Sequence, residues 1–142
     1  MDNVGLNRVE DKVKVFSAGV WLREGELDLS CEGTRSGLYT VSFETVRIRI
    51  EPLDKVLRRV SIEYEAVVKM DCEGCEYSIL RTPCNVLRTV AQYIIEIHGA
   101  SKPLIDCMKC CGFRAEIVKE LAKELVPVEV WLFTRRDASV QR

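Results

Sequence analysis

Apolar and polar positions alternate along this chain with two different periods, and the change of period divides it. Over 12–19, Val13 and Val15 fall on one side, and Lys14, Phe16 and Ala18 on the other. A period of two predicts a strand. The stretch 21–30 predicts another, with a turn at Glu24-Gly25 and Leu27 and Leu29 alternating after it. EGTRSG, 32–37, is a loop by composition. Strands follow at 38–43 and 45–51, where Val46, Ile48 and Ile50 alternate with Arg47, Arg49 and Glu51. That pattern gives a sheet with one face in solvent. The period then lengthens: Leu53, Val56, Leu57 and Val60 share one helical face, and Pro52 stands where proline suits a helix start.

The second half of the chain changes character. Ala66 to Met70 is a short apolar run of the kind a buried strand shows, and it stops at Asp71. Glu73, Gly74 and Glu76 come next, before a helical pattern carried by Tyr77, Ile79 and Leu80. Pro83 ends or kinks that helix, 85–91 is helical again, and YIIEIH at 93–98 reads as a second buried strand. Ser101 and Pro103 open a helix with Leu104, Ile105, Met108 and Cys111 on one face, and Gly112 stops it. Strands at 113–118 and 128–134 follow, then a polar tail over 135–142. Strand, helix, strand, helix, strand, strand predicts an α/β fold with a mostly parallel sheet. The last two strands are joined too closely for a parallel crossover and should form a C-terminal antiparallel hairpin. The strands of the first third make an N-terminal antiparallel region.

Ligands of open α/β sheets lie beyond the carboxyl ends of strands, which is where Asp71, Glu73 and Glu76 fall. Acids at a helix start also complement its positive end, which accounts for Glu73 and Glu76 without any ligand. It does not account for Asp71, a charge at the end of an apolar strand, which is costly unless partnered. If 66–70 and 93–98 are neighbouring parallel strands, Asp71 and His98 share one sheet edge. A carboxylate beside an imidazole makes a general base near neutral pH; the plainer alternative is that His98 caps a strand end.

Composition narrows the picture further. The chain has 142 residues, 47% hydrophobic and 30% charged, which suits one globular domain. Lys and Arg number 21 against 22 Asp and Glu, a net charge of −1 that argues against a general grip on nucleic acid. No apolar run approaches the ~18 residues of a membrane span, and MDNVGLNRVE has no apolar core of a signal peptide. The expectation is a soluble cytoplasmic protein. Of seven cysteines, Cys72, Cys75, Cys107 and Cys110 form two C-x-x-C pairs, the spacing of a four-thiolate zinc site. Cys107 and Cys110 fall on a helix rather than a zinc knuckle, and cysteine packs readily in cores. Packing or a disulfide is the preferred reading over zinc.

The pattern K-x-D-x-E-G-x-E-x-x-x-L, here Lys69, Asp71, Glu73, Gly74, Glu76 and Leu80, resembles the signature of FkbM-type methyltransferases. That family follows it with a strand reading roughly I-x-x-E-x-H, matched here by Glu96 and His98, and with a helix ending in G-F, here Gly112-Phe113. Upstream, Leu53, Asp54 and Leu57 match L-D-x-x-L, and Asn3, Leu6 and Asn7 match N-x-x-L-N-x-x. The resemblance implies a Rossmann-like sheet ending in an antiparallel hairpin, S-adenosylmethionine as cofactor, and methyl transfer to a hydroxyl of a small molecule or sugar. It implies His98 as base with Asp71 as its orienter or a substrate ligand. Glu73, Glu76 and Glu96 become substrate-binding residues; a divalent metal held by these acids and His98 is a lesser alternative, and no metal ligand is assigned. The family's D-x-G-A-x-x-G loop and ribose-binding acid have no match, since none of the eight glycines forms a G-x-G or G-x-x-G cluster. No cofactor-binding residue is assigned, and 1–134 reads as a truncated methyltransferase-like domain, inactive alone. The strand at 66–70 would then be an open edge. The strands of 12–50 would cover it, together with self-association or a separate chain supplying what is missing. The alternative function is a non-enzymatic remnant serving as an interaction or structural module; a zinc-binding module ranks lower.

Overall fold

The computed structural model describes residues 3–9, 11–32, 35–37, 45–60, 65–121 and 127–137. A short helix, α1 (Asn3–Asn7), precedes the first sheet. That sheet holds β1 (Gly19–Trp21), β2 (Gly25–Glu32), β3 (Arg35–Gly37) and β4 (Thr45–Pro52) in the order β1-β4-β2-β3. β4 runs antiparallel to β2 and parallel to β1. Its alternation holds only in part: Ile50 is buried and Arg47 points out, meeting Asp28 at 2.9 Å across the ladder, but Val46 is exposed, and Glu51, expected on the solvent face, is buried because Arg59 pairs with it at 2.8 Å. The guanidinium holds the Asp28 carboxyl below its ordinary pKa, but both groups are well exposed and the pair adds little stability.

Two expectations for this region are corrected. The stretch 12–18 forms no strand; pairing starts only at Gly19, opposite Ile50. Its alternating valines have no ladder to join, so Val15 stays 67% exposed. Phe16 lies instead between cations, with Lys14 Nζ 5.2 Å and the Arg59 guanidinium 4.9 Å from its ring centroid. The loop expected over 32–37 contains β3, which pairs with the end of β2. The strand expected at 38–43 lies outside the described residues.

Helix α2 (Leu53–Arg59) leads to the second sheet, with Leu53 and Leu57 buried. Then come β5 (Val67–Met70), a 3-10 helix (Cys75–Arg81), α3 (Cys84–Leu87), β6 (Gln92–His98), α4 (Lys102–Cys110), β7 (Phe113–Leu121) and β8 (Val128–Arg135). The strand order is β5-β6-β8-β7. β5 and β6 are parallel, and β8 runs antiparallel to both β6 and β7. Three strands thus share one direction and the last reverses between two of them, which is the predicted C-terminal hairpin. Residues read as helical after Asp71 form a 3-10 helix, and the expected tail begins late, since Arg135 is the last residue of β8 and 2% exposed. Its guanidinium donates to the Arg88 carbonyl and sits 2.8 Å from Asp137.

The core lies on one face of this second sheet. Along β6, Tyr93, Ile95 and Ile97 are fully buried, and the intervening residues are half-buried. They pack with Ile79, Leu87, Leu104, Met108, Phe113 and Phe133. Tyr93 meets Phe113 edge-on at 5.6 Å and donates its hydroxyl to the Leu87 carbonyl; burial raises the Tyr93 pKa strongly. Because side chains alternate, Glu96 and His98 emerge together on the opposite face.

The expected cover of β5 by the upstream strands does not form among the described residues: there β5 pairs with β6 alone, and Val67 is 53% exposed. The upstream strands make their own sheet, and α2 follows it; Leu53 and Leu57 belong to the same core cluster as Met70 and line the cleft that β5 borders.

Gly112 closes α4 with φ +91°, and a Cβ there would meet Arg88 Nη1 at 2.3 Å. Arg88 cannot swing away freely, since it also bonds the Cys111 carbonyl and Asp137. Gly112→Ala is expected to cost about 1–3 kcal/mol, combining backbone strain with displacement of that arginine. Urea denaturation measures it, and an unchanged midpoint would show that the turn relaxes freely.

Candidate active site

The site begins where β5 ends. Met70 pairs with Ile95, so the parallel register carries Asp71 to the level of Glu96, with His98 two residues further on. The chain must then turn sharply, and does so through Glu73 at φ +48° and Gly74 at φ +124°. Only glycine takes the second value without strain. A Cβ there would make only ordinary contact with the Trp21 ring, 3.6 Å away, so the backbone and not crowding calls for glycine.

Glu76 fixes this turn. Its carboxylate is fully buried. Oε2 accepts the Gly74 N–H at 2.7 Å, and Oε1 accepts the His98 N–H at 3.0 Å. One side chain therefore ties the acidic turn to the end of β6. Tyr77 braces the same strand end, its hydroxyl 3.2 Å from the carbonyls of both His98 and Ala100. The His98 ring lies between two acids. Nδ1 is 3.4 Å from Glu76 Oε1, and Nε2 is 3.4 Å from Glu96 Oε1. Asp71, Glu96 and His98 each offer a donor atom within 4.8 Å of the others. Lys69 adds its ammonium 3.0 Å from Asp71, which supplies the partner that a charge at a strand end requires.

Beside this cluster lies a cleft of about 700 Å³ between the two sheets. Val20, Trp21, Leu53, Leu57 and Val68 wall it, and Asp71 and Glu73 stand exposed along it. Of the residues singled out in the sequence, Asp71, Glu96 and His98 come together, and Glu73 lines the cleft. Glu76, expected to bind substrate, is instead buried with both oxygens engaged by backbone N–H groups, where it positions the turn and His98. Trp21, Tyr77 and Lys69 were not foreseen as site residues. Tyr77 and Lys69 stand inside the acidic motif, whereas nothing in the local pattern marks Trp21.

The cysteines follow the disulfide reading. Cys72 and Cys75 are bonded to each other across the turn, and Cys84 to Cys111. Cys107 and Cys110 are free thiols; burial, and to a lesser degree the neighbouring Cys110, raises the Cys107 pKa. One of the two C-x-x-C pairs is thus closed on itself.

The family model described as the methyltransferase FkbM domain matches residues 1–115. No curated protein and no solved structure matches the chain. The matched span includes β5, the acidic turn, β6 and α4.

Removing the Glu76 carboxylate would strand two inward-facing N–H groups, each costing about 1–3 kcal/mol unsatisfied. Glu76→Ala is expected to lose about 2–5 kcal/mol in denaturant titration, since those penalties roughly add. Glu76→Gln, which keeps one acceptor, should lose less. Equal, small losses in both variants would mean that the turn holds without this carboxylate.

Proposed function

The chain belongs to the FkbM methyltransferase family, and we propose that it takes part in methyl transfer from S-adenosylmethionine to a hydroxyl of a small molecule or sugar. The observation that carries this reading is the convergence of Asp71, Glu96 and His98 at the carboxyl ends of two parallel strands, beside a cleft. S-adenosylmethionine supplies an electrophilic methyl group on a cationic sulfur. The residues present fit it in part: the exposed carboxylates of Asp71 and Glu73 and the Trp21 ring suit its positive end. They do not supply a glycine loop for its nucleoside. Gly19 lines the cleft, but a Cβ there would lie 2.9 Å from Ile48, so its missing side chain serves packing within the sheet. Binding by these residues alone would be weak.

The chain's own part is to prepare the acceptor. Its hydroxyl must lose a proton as the oxygen attacks. His98 is the base: Glu76 fixes its backbone and faces Nδ1, leaving Nε2 on the side of Glu96, 3.4 Å away. Asp71 orients the imidazole or the acceptor, and Glu73 and Glu96 accept hydrogen bonds from further hydroxyls of a polyol.

The test uses methyl-labelled S-adenosylmethionine at millimolar concentration with a panel of sugars and small alcohols. Labelled methyl ether should form, and His98→Ala should lower its rate by about 10²–10⁴-fold. Absence of labelled product with every acceptor, or a His98→Ala rate equal to the parent, would sink the proposal.

A second reading rests on the free edge of β5 next to an apolar cleft. Such an edge accepts another strand, so the chain would act as an interaction module, pairing with a second copy or with a chain that supplies further strands. Sedimentation should then show association, and amide exchange should show protection at Val67 to Met70. Fast exchange there in a monomeric protein would remove this reading.

A further inference from the structure

We infer that Asp71, Glu96 and His98 also form a binding site for a divalent cation of the manganese type, and that bound metal and His98's action as base exclude each other. This deepens the proposed function as regulation of the same site and rests on that reading for its consequence, not for the binding itself. It raises above the preferred expectation, which assigns no metal ligand, the lesser alternative that the sequence left open.

Two independent features support it. The first is the donor set: two carboxylates and one imidazole, all within 4.8 Å. Donors placed opposite one another on an ion with bonds of roughly 2.1 Å are about 4.2 Å apart. A small rotation of the exposed Asp71 side chain would close that difference. Carboxylate-rich sites with a single imidazole suit Mn²⁺, while thiolate-free sets offer little to softer ions. The second feature is the support behind the ring. A metal-binding histidine usually has its other nitrogen against a carboxylate, which fixes the ring's orientation. Here Nδ1 is buried with no completed hydrogen bond and lies 3.4 Å from Glu76 Oε1. The Glu76 carboxylate is itself locked by the Gly74 and His98 N–H groups. The ring thus has a rigid, buried side and a side that faces two more acids. The His98 side chain is 15% exposed and Asp71 43%, so an ion can enter from solvent and keep water on its open side. The Lys69 ammonium, 3.0 Å from Asp71, competes for that carboxylate, but its side chain is 68% exposed and free to swing out.

The exclusion follows from one lone pair. Nε2 either accepts the acceptor's proton or coordinates the ion; it cannot do both.

The chain has one histidine, so its imidazole signals report on this site without ambiguity. Mn²⁺ is added to the intact chain with neither S-adenosylmethionine nor acceptor present. The imidazole resonances should broaden selectively, and the electron-spin signal of free Mn²⁺ should fall in proportion to a single site. Glu96→Gln and His98→Ala should abolish the uptake. Glu76→Gln should weaken it by about 10–100-fold, as loss of an outer partner does. Folding of each variant is checked by circular dichroism, and Arg114→Ala, on β7 at the opposite edge of the sheet from β5, should bind as the parent does. Unbroadened imidazole signals at millimolar Mn²⁺, or uptake unchanged in Glu96→Gln, would overturn the site. Failure to find methyl transfer would leave the binding result standing and would count only against the proposed function. Where transfer is found, Mn²⁺ should suppress it in step with occupancy; full activity with the site filled would overturn the exclusion.

Discussion

A single buried carboxylate holds the candidate site together. Glu76 accepts hydrogen bonds from Gly74 on one side and His98 on the other, and those residues are 24 positions apart in the chain. Two charge-assisted bonds inside the protein are stronger than neutral ones, and leaving either donor bare would be expensive. The acidic turn, the end of β6 and the His98 ring therefore share one anchor. The positive φ angles at Glu73 and Gly74 make sense in this light, since the backbone must fold back far enough to present the Gly74 N–H to its own downstream side chain. The disulfide between Cys72 and Cys75 closes the same loop covalently.

The second constraint is the break between the two sheets. β4 leads into α2, and Leu53 and Leu57 enter the core beside Met70. A helix there offers apolar side chains but no backbone partners, because a helix consumes its own hydrogen-bonding groups. Among the described residues β5 is paired on one side only, with the cleft beside it. The catalytic and interaction readings draw on opposite ends of that strand: its carboxyl end carries Asp71, and its edge is open to another strand.

Much of the architecture was legible in the chain. The alternation of β4, the one-sided stripe of α2, the apolar run of β6 and the Gly112 stop each predicted the element that forms. The short β7–β8 connection predicted an antiparallel pair. The acidic motif and the Glu96-x-His98 strand pointed to the family before any coordinates. The misses have physical causes. The pattern over 12–18 is as regular as that of a strand, but a strand needs a neighbour, and the ladder on β4 begins at Gly19. Arg135 looked like tail because it is charged; the Arg88 carbonyl and Asp137 draw it into the protein.

The sequence by itself determined which residues alternate, where helices stop, and that Asp71 and His98 fall at one end of two parallel strands. Those are local properties, set by side-chain period, glycine and chain direction. Only the tertiary structure decided that Glu76 turns inward, that Asp71, Glu96 and His98 converge with Glu96 beside Nε2, and that β5 pairs with β6 alone among the described residues. Each of these depends on where groups distant in sequence arrive in space. A carboxylate reads the same in a sequence whether its partners are waters or two buried N–H groups; the packing around it makes the choice.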